Sequence, residues 1–90
     1  MIATNSRGGN NRLMRIKVYA PSFADFAGLD DDGFMELPDG AVLRDVYRKL
    51  RIAVPLRPFV LAAVNYEWTK KNFELHDGDV VSFLAIGHGG

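Results

Sequence analysis

The chain of 90 residues contains no cysteine. That absence excludes a disulfide, a thiolate nucleophile and a zinc site with cysteine ligands. The formal net charge is zero, from 11 basic and 11 acidic residues, whereas nucleic-acid and membrane-surface binders normally carry a basic excess. No apolar run approaches membrane-spanning length, and the N-terminus lacks the apolar segment of a signal peptide. We therefore expect a cytoplasmic protein with no nucleic-acid partner and no membrane partner.

Signatures of catalysis and of metal binding are also missing. The sequence has no glycine-rich phosphate loop and no pair of residues at zinc-ligand spacing. His76 and His88 are each isolated, and the acidic run at 30–32 lacks the spaced oxygens and the distant glutamate of an EF-hand. We expect no metal and no stably bound cofactor. A self-contained enzyme is therefore disfavoured.

The composition that is present is typical of one globular domain, with 48% hydrophobic and 24% charged residues. The charge is nevertheless segregated along the chain. Residues 21–40 carry six acids and no base, whereas residues 41–60 carry five bases and one acid. We interpret the two segments as solvated faces, with a partner-docking role as the alternative.

Three long strands are predicted from the apolar pattern. They are residues 13–20, 59–65 and 80–86. The first alternates in polarity, as a half-buried strand does. The second is almost continuously apolar, which predicts a central strand covered on both faces. In the third, Val81 and Phe83 share one face, and Ser82 and Leu84 share the other.

One helix and several shorter elements are predicted between these strands. Apolar residues at positions i, i+3, i+4 and i+7 predict a helix over 42–51. A short strand is predicted at 33–37, with Phe34 and Leu37 as its anchors, and one helical turn is expected near 23–27 with Ser22 as its N-cap. Residues 66–75 are expected to form a short strand or a loop. The predicted core residues are Ile16, Val18, Leu43, Val46, Tyr47, Leu50, Val81 and Phe83.

This element order predicts an α+β fold in which the helix covers one face of a mixed sheet of four to five strands. The predicted organisation has three parts. Residues 1–12 form a disordered N-terminal tail, residues 13–86 form the domain, and residues 87–90 form a flexible C-terminal tail.

Three segments together resemble the ubiquitin-like sulfur carrier proteins of the β-grasp fold. They are "LAAVN" at 61–65, "LHDGDVVSFL" at 75–84 and the final "GG" at 89–90. The resemblance covers roughly residues 13–90 and is nearest to the small subunit of molybdopterin synthase. The thiamine-pathway sulfur carrier is the other close relative. The insert "SFADFAGLDDD" after the first strand favours the molybdopterin branch.

The sequence departs from this family in two places. The family commonly has threonine where Val42 stands, and valine has no acceptor for the first helical amides, so Asp39 or Gly40 is expected to cap the helix. The segment "AIGH" at 85–88 replaces the usual Pro-Pro ending before the diglycine. The second departure affects the choice of partner more than the chemistry.

The resemblance implies a carrier cycle in which Gly90 is the reacting residue. A ubiquitin-activating-type adenylyltransferase uses ATP to adenylate the Gly90 carboxylate, and a sulfur donor then converts it to a thiocarboxylate. In the molybdopterin branch, the tail enters the large subunit of molybdopterin synthase and donates sulfur to a pterin precursor. Gly89 is expected to help the tail thread a narrow channel, since it has no Cβ. The partners supply the catalytic side chains.

A glycine tail supplies little affinity, because ordering each of its residues costs about 1–2 kcal/mol. An apolar patch beside the tail is therefore expected to dock the partners. Leu84 is the main candidate, with Phe59 and Ile86 as neighbours, and burial of Leu84 in the core is the alternative. His88 is a further candidate for partner contact, although an acid–base role for it is disfavoured. Trp68 is interpreted as a packing residue.

Three other functions fit the same sequence. The chain could carry sulfur for thiamine or another metabolite, or it could be a ubiquitin-like modifier that is joined to a lysine amine. It could also be a β-grasp interaction module whose diglycine is incidental. Adenylation of Gly90 distinguishes the last possibility from the others.

Overall fold

The computed structural model describes residues 12–86, which form five strands, one α-helix and two short 3-10 helices. In chain order these are β1 (Leu13–Tyr19), a 3-10 helix (Phe26–Gly28), β2 (Phe34–Pro38), α1 (Leu43–Lys49), a 3-10 helix (Val54–Phe59), β3 (Val60–Val64), β4 (Glu67–Trp68) and β5 (Val80–Ala85). The predicted tails at 1–12 and 87–90 lie outside the described residues, apart from Arg12. Within 12–86, no helix combines the length and the apolar character needed to cross a bilayer.

The five strands form one mixed sheet in the order β2-β1-β5-β3-β4. β1 and β5 pair in parallel, with Lys17 opposite Val80, and the other pairs are antiparallel. This arrangement confirms the predicted α+β fold of β-grasp type, including the short strand expected within 66–75. The prediction of a central, doubly covered strand at 59–65 is wrong. β5 is the central strand, and Leu61 of β3 remains 40% exposed.

The helix α1 packs across one face of this sheet and closes the hydrophobic core. Seven of the eight predicted core residues are buried, and Phe83 is half-buried against them. The Tyr47 ring meets the Phe83 ring edge-on at a centroid distance of 5.1 Å, and the Tyr47 hydroxyl donates a hydrogen bond of 2.7 Å to the Val60 carbonyl. A buried tyrosine normally satisfies its hydroxyl in this way. Further buried residues are Met14, Met35, Leu37, Ile52 and Leu75.

The choice of Phe34 as an anchor of β2 is wrong, although Leu37 is buried as predicted. Met35 and Leu37 face the core, and Phe34 therefore lies on the opposite face because side chains alternate along a strand. There the guanidinium carbon of Arg15 lies 4.1 Å from the centre of the Phe34 ring. An aromatic ring on this face is stabilised by a cation rather than by the core.

The cap of α1 also differs from the prediction, since neither Asp39 nor Gly40 provides it. Val42 is the N-cap residue, and its amide donates to the Asp45 carboxylate at 2.9 Å. The first helical amides donate to carbonyls of a distant loop, Leu43 to Phe73 at 2.9 Å and Arg44 to Lys71 at 2.7 Å. The unpaired donors of a helix start are thus satisfied without a capping side chain.

The helix is shorter than the predicted range 42–51, because it begins at Leu43 and its C-cap is Leu50. Arg51 follows with a φ of 55°, a left-handed conformation that stops the helix. The Arg51 guanidinium also lies 3.1 Å from the Asp25 carboxylate. Leu50 remains fully buried, so the predicted apolar stripe is retained beyond the last helical residue.

The acidic loop before β2 is held together by one carboxylate. Asp30 accepts hydrogen bonds from the amides of Asp32 and Phe34 and from the Arg15 guanidinium. The bond from the Phe34 amide is the main reason that the pKa of Asp30 lies below its usual value. Among residues 12–86 no group of three metal-binding side chains comes together. The helical turn in this region is the 3-10 helix Phe26–Gly28, and its N-cap is Asp25 rather than Ser22.

Candidate functional site

The face of the sheet that α1 does not cover carries the candidate site. One row of cross-strand neighbours on this face runs from Tyr19 of β1 through Ser82 and Ala63 to Trp68 of β4. The two ends of the row are exposed aromatic residues, with Trp68 exposed by 64%, and the two central residues are small. Along this row, the surface of the open face is therefore concave, with small side chains in the centre and large aromatic side chains at both ends.

A continuous apolar surface extends from this row toward the end of β5. We call it the apolar strip, and it consists of Phe59, Leu61, Leu84 and Ile86. Leu61 and Leu84 are direct cross-strand partners, and the Ile86 amide donates to the Phe59 carbonyl at 2.7 Å. Leu84 is 49% exposed and Phe59 is 52% exposed. An exposed cluster of large apolar side chains typically marks an interaction surface.

The strip lies at the base of the predicted tail. β5 is bonded to β1 on one side and to β3 on the other, so its direction is set by two neighbouring strands. The hydrogen bond of Ile86 to Phe59 continues the β3 ladder to the final described residue. A partner that covers the strip would therefore contact the chain immediately before residue 87.

Of the predicted site residues, the structure brings together Leu84, Phe59 and Ile86. The alternative of core burial for Leu84 is excluded by its exposure. His88, Gly89 and Gly90 lie outside the described residues, so their predicted roles stay predictions. Trp68 does not pack in the core as expected, because β4 has only two residues and nothing in 12–86 covers its outer face.

Leu61 is the site residue that the sequence analysis missed. Leu61 belongs to the apolar run at 59–65, which was interpreted as a strand covered on both faces. Under that interpretation Leu61 is buried, so it was not considered as a surface residue. The signal that could have identified it is Leu84, since apolar side chains on facing positions of neighbouring strands stabilise each other. The pairing of Leu61 with Leu84 is known only once the strand register is known.

The chemistry of the strip is limited to binding. Its four side chains are aliphatic or aromatic hydrocarbons, which neither transfer a proton nor attack an acyl group. On the covered side of the sheet, burial raises the pKa of Tyr47, and the Arg57 charge opposes that rise. Tyr47 donates its hydroxyl proton to a backbone carbonyl and lies in the core. The strip itself therefore supplies contact area and no reacting group.

Comparison with known proteins agrees with this geometry. Residues 22–90 match the ThiS family, a segment that contains most of the sheet, the whole apolar strip and the predicted tail. Comparison with individual curated proteins gives no significant match. The family match spans more than half of the sequence and ends at residue 90. The chain therefore belongs to the ThiS family, whose members are ubiquitin-like sulfur carriers.

Proposed function

We propose that this chain carries sulfur as a thiocarboxylate on Gly90 for the synthesis of molybdopterin. The observation that supports the proposal is the position of the apolar strip, which reaches Ile86 and so lies directly before the predicted tail. Membership of the ThiS family independently indicates a sulfur carrier that meets an activating enzyme and a synthase. The metabolite that receives the sulfur is the more specific part of the proposal.

The first step is activation of a poor acyl electrophile. The Gly90 carboxylate attacks the α-phosphate of ATP, a C–O–P linkage forms, and diphosphate leaves. The carbonyl carbon then carries AMP as a good leaving group. A hydrosulfide-equivalent donor forms the C–S bond while the C–O bond to AMP breaks, which leaves a thiocarboxylate. The ubiquitin-activating-type enzyme supplies the catalytic groups, and this chain supplies the carboxylate.

The folded domain contributes binding and position to this reaction. Ordering the tail in a channel costs about 1–2 kcal/mol per residue, so the affinity must come from the domain. Burying the apolar strip provides roughly 25 cal/mol for each Å² of apolar surface removed from water. Because β5 is held by two strands, docking at the strip also places the start of the tail relative to the partner.

The choice of molybdopterin rests on the segment between β1 and β2. This segment contains a 3-10 helix at Phe26–Gly28 and a turn organised by Asp30, and it is longer than the tight turn that thiamine-pathway carriers usually have. The second candidate is therefore a carrier for thiamine, and family membership is equally compatible with it. Complementation of hosts that lack either carrier distinguishes the two pathways.

Deletion of Gly90 tests the chemistry itself. We expect the deletion to abolish ATP–diphosphate exchange by the cognate activating enzyme and to abolish sulfur loading seen by intact mass spectrometry. The thermal midpoint should stay unchanged, since the described sheet ends at Ala85 and glycine has no side chain to bury. Gly89→Ala should fold normally and react more slowly, because a methyl group must pass a channel that fits glycine.

The outcome that would overturn the carrier function is equally direct. If the Gly90 deletion exchanges diphosphate and gains sulfur as fast as the full chain, Gly90 is not the reacting residue. If the full chain forms stable adducts with lysines of other proteins and no thiocarboxylate, it acts as a ubiquitin-like modifier. If it is not adenylated at all, the domain is an interaction module.

A further inference from the structure

A second surface feature lies around the edge of the sheet from the apolar strip. β4 ends at Trp68, so no strand from the described part of the chain lies beside the outer edge of β3 before Ala63. A cleft of about 450 Å³ occupies this position, between that edge, the start of α1, the end of the second 3-10 helix and the loop that follows β4. Its lining combines backbone of the sheet edge with several charged side chains, none of which belongs to the apolar strip.

Among residues 12–86, four cationic side chains and no acidic one line this cleft. They are Arg44, Arg57, Lys70 and Lys71. Elsewhere in residues 12–86, the arginines at 15, 48 and 51 each form an ion pair with an aspartate, whereas none of these four has a carboxylate partner within 4.0 Å. Four like charges without a counter-charge repel one another, and an anionic ligand would relieve that repulsion.

One backbone hydrogen bond and two side-chain contacts fix the positions of three of these cations. The Arg44 amide donates to the Lys71 carbonyl at 2.7 Å, which joins the start of α1 to the distant loop. The Arg57 Nε donates to the Ile52 carbonyl at 3.0 Å, so its other guanidinium donors stay available for a ligand. The Lys71 Nζ lies 5.1 Å from the centre of the Tyr47 ring, an arrangement that favours a fixed ammonium position.

The cleft is continuous with the open face of the sheet. Leu61 belongs both to the apolar strip and to the wall of the cleft, and Trp68 belongs both to the cleft and to the row across the open face. A surface that covers the strip therefore extends naturally into the cleft. Arg44 and Lys70 are exposed at the rim of the cleft. A site for a small anion would bury its donors around the ligand, so exposed cations favour a protein partner.

We propose that this cleft binds a carboxylate-rich segment of the adenylating enzyme that docks on the apolar strip. The inference rests on the proposed function, because it specifies that the adenylating enzyme of that function docks through acidic residues. Apolar contact at the strip supplies affinity, and the cationic cleft attracts and orients the acidic segment. Within the basic segment at 41–60, Arg44 and Arg57 thus take the partner-docking role that the sequence left as the alternative, and Lys70 and Lys71 join them.

The test compares two charge reversals on one helix. Arg44→Glu changes the cleft, and Lys49→Glu is the matched control, since both residues are exposed in α1 and both substitutions change the net charge equally. Association with the cognate adenylating enzyme is measured by stopped flow over a series of salt concentrations, after circular dichroism has shown equal thermal midpoints. We expect Arg44→Glu to slow association about tenfold at low salt, and Lys49→Glu to stay within about twofold of the wild type. The difference should disappear at high salt, since charge steering is screened.

The result that overturns the cleft proposal is equal association of the two variants at low salt. A second arm titrates the labelled chain with hexaglutamate and with inorganic diphosphate while amide resonances are recorded. Preferential binding of diphosphate at the cleft residues also overturns the proposal, because it assigns the site to a small phosphate ligand. These failures are distinct from failure of the proposed function: wild-type protein that is adenylated and gains sulfur keeps the carrier function, whatever Arg44→Glu does.

Discussion

One face of the sheet is buried and the other is exposed to solvent, although successive side chains of each strand point to the two faces in turn. On β5, Val81 is fully buried beneath α1, and Leu84 on the other face is 49% exposed. On β3, Val60 and Ala62 contact the core, whereas Leu61 contributes to the apolar strip. Large apolar side chains therefore occur on both faces in this part of the sheet, and only one face is covered by α1 and the loops packed beside it. Hydrophobicity on the uncovered face remains available for a partner.

The largest effect is expected from a charge placed on the covered face of the sheet. Val81→Glu should leave the domain unfolded, because a carboxylate at this position has neither water nor a cation beside it, and burial of an unpaired charge costs more than a small domain's stability of about 5–15 kcal/mol. Circular dichroism should show loss of the cooperative thermal transition. A variant that melts near the wild-type midpoint would mean that α1 does not seal this face.

The same charge on the open face should damage binding and spare the fold. We expect Leu84→Glu to keep the thermal midpoint and to weaken binding to the adenylating enzyme by at least about tenfold, as loss of a central apolar contact does. Calorimetric titration measures the affinity. Leu13→Glu is the matched control, since Leu13 is an exposed leucine of the same sheet outside the strip. Equal loss of affinity in both variants, or unfolding of Leu84→Glu, would contradict the assignment of the strip.

A smaller effect is expected from removing the hydrogen bond that joins Tyr47 of the helix to the sheet. Tyr47→Phe removes the hydroxyl that donates to Val60 and leaves that carbonyl unpaired. The expected loss is about 1 kcal/mol of unfolding free energy, which lowers the midpoint by roughly 4–8 °C in a domain of this size. Urea unfolding at neutral pH measures the loss. An unchanged midpoint would show that the Val60 carbonyl finds another donor.

The smallest effect is the pH dependence of this same group. Burial raises the pKa of Tyr47 in the folded protein above the value in the unfolded chain, which is about 10. The hydroxyl's contribution is therefore complete below pH of about 10 and is lost as the pH rises through the folded pKa. Urea midpoints should fall more steeply above pH of about 10 in the wild type than in Tyr47→Phe. Parallel curves for the two proteins would contradict the pKa shift.

Much of the covered face could be predicted from the sequence, because local periodicity carries the information. The stripe of Leu43, Val46, Tyr47 and Leu50 and the alternation of β1 and β5 each concern residues within a few positions of one another. The errors arose where a residue's surroundings come from elsewhere in the chain. Val42 needs no capping side chain because distant carbonyls accept the first helical amides, and Phe34 lies outside the core beside Arg15.

The candidate site was predicted less completely than the core. Leu84, Phe59 and Ile86 were proposed from their position before the diglycine; all three are exposed and neighbouring in the fold, and their partner-binding role stays a prediction. Leu61 was missed, since a continuous apolar run does not indicate which of its faces stays uncovered. The exposure of Trp68 was also not predicted. It follows from the short length of β4, and that length is set by the pairing of only two residues with β3.

By itself, the sequence determined the main helix, the positions of the three long strands, the alternation of β1 and β5, the lack of an internal thiol and the diglycine at 89–90. The tertiary structure alone decided that β5 is central, that Leu61 lies opposite Leu84, and that Arg44 meets Lys71 at the edge of the sheet. The physical reason is the range of the interactions. Periodicity and propensity act over a few residues, whereas strand register and the gathering of like charges require contacts between segments far apart in the chain.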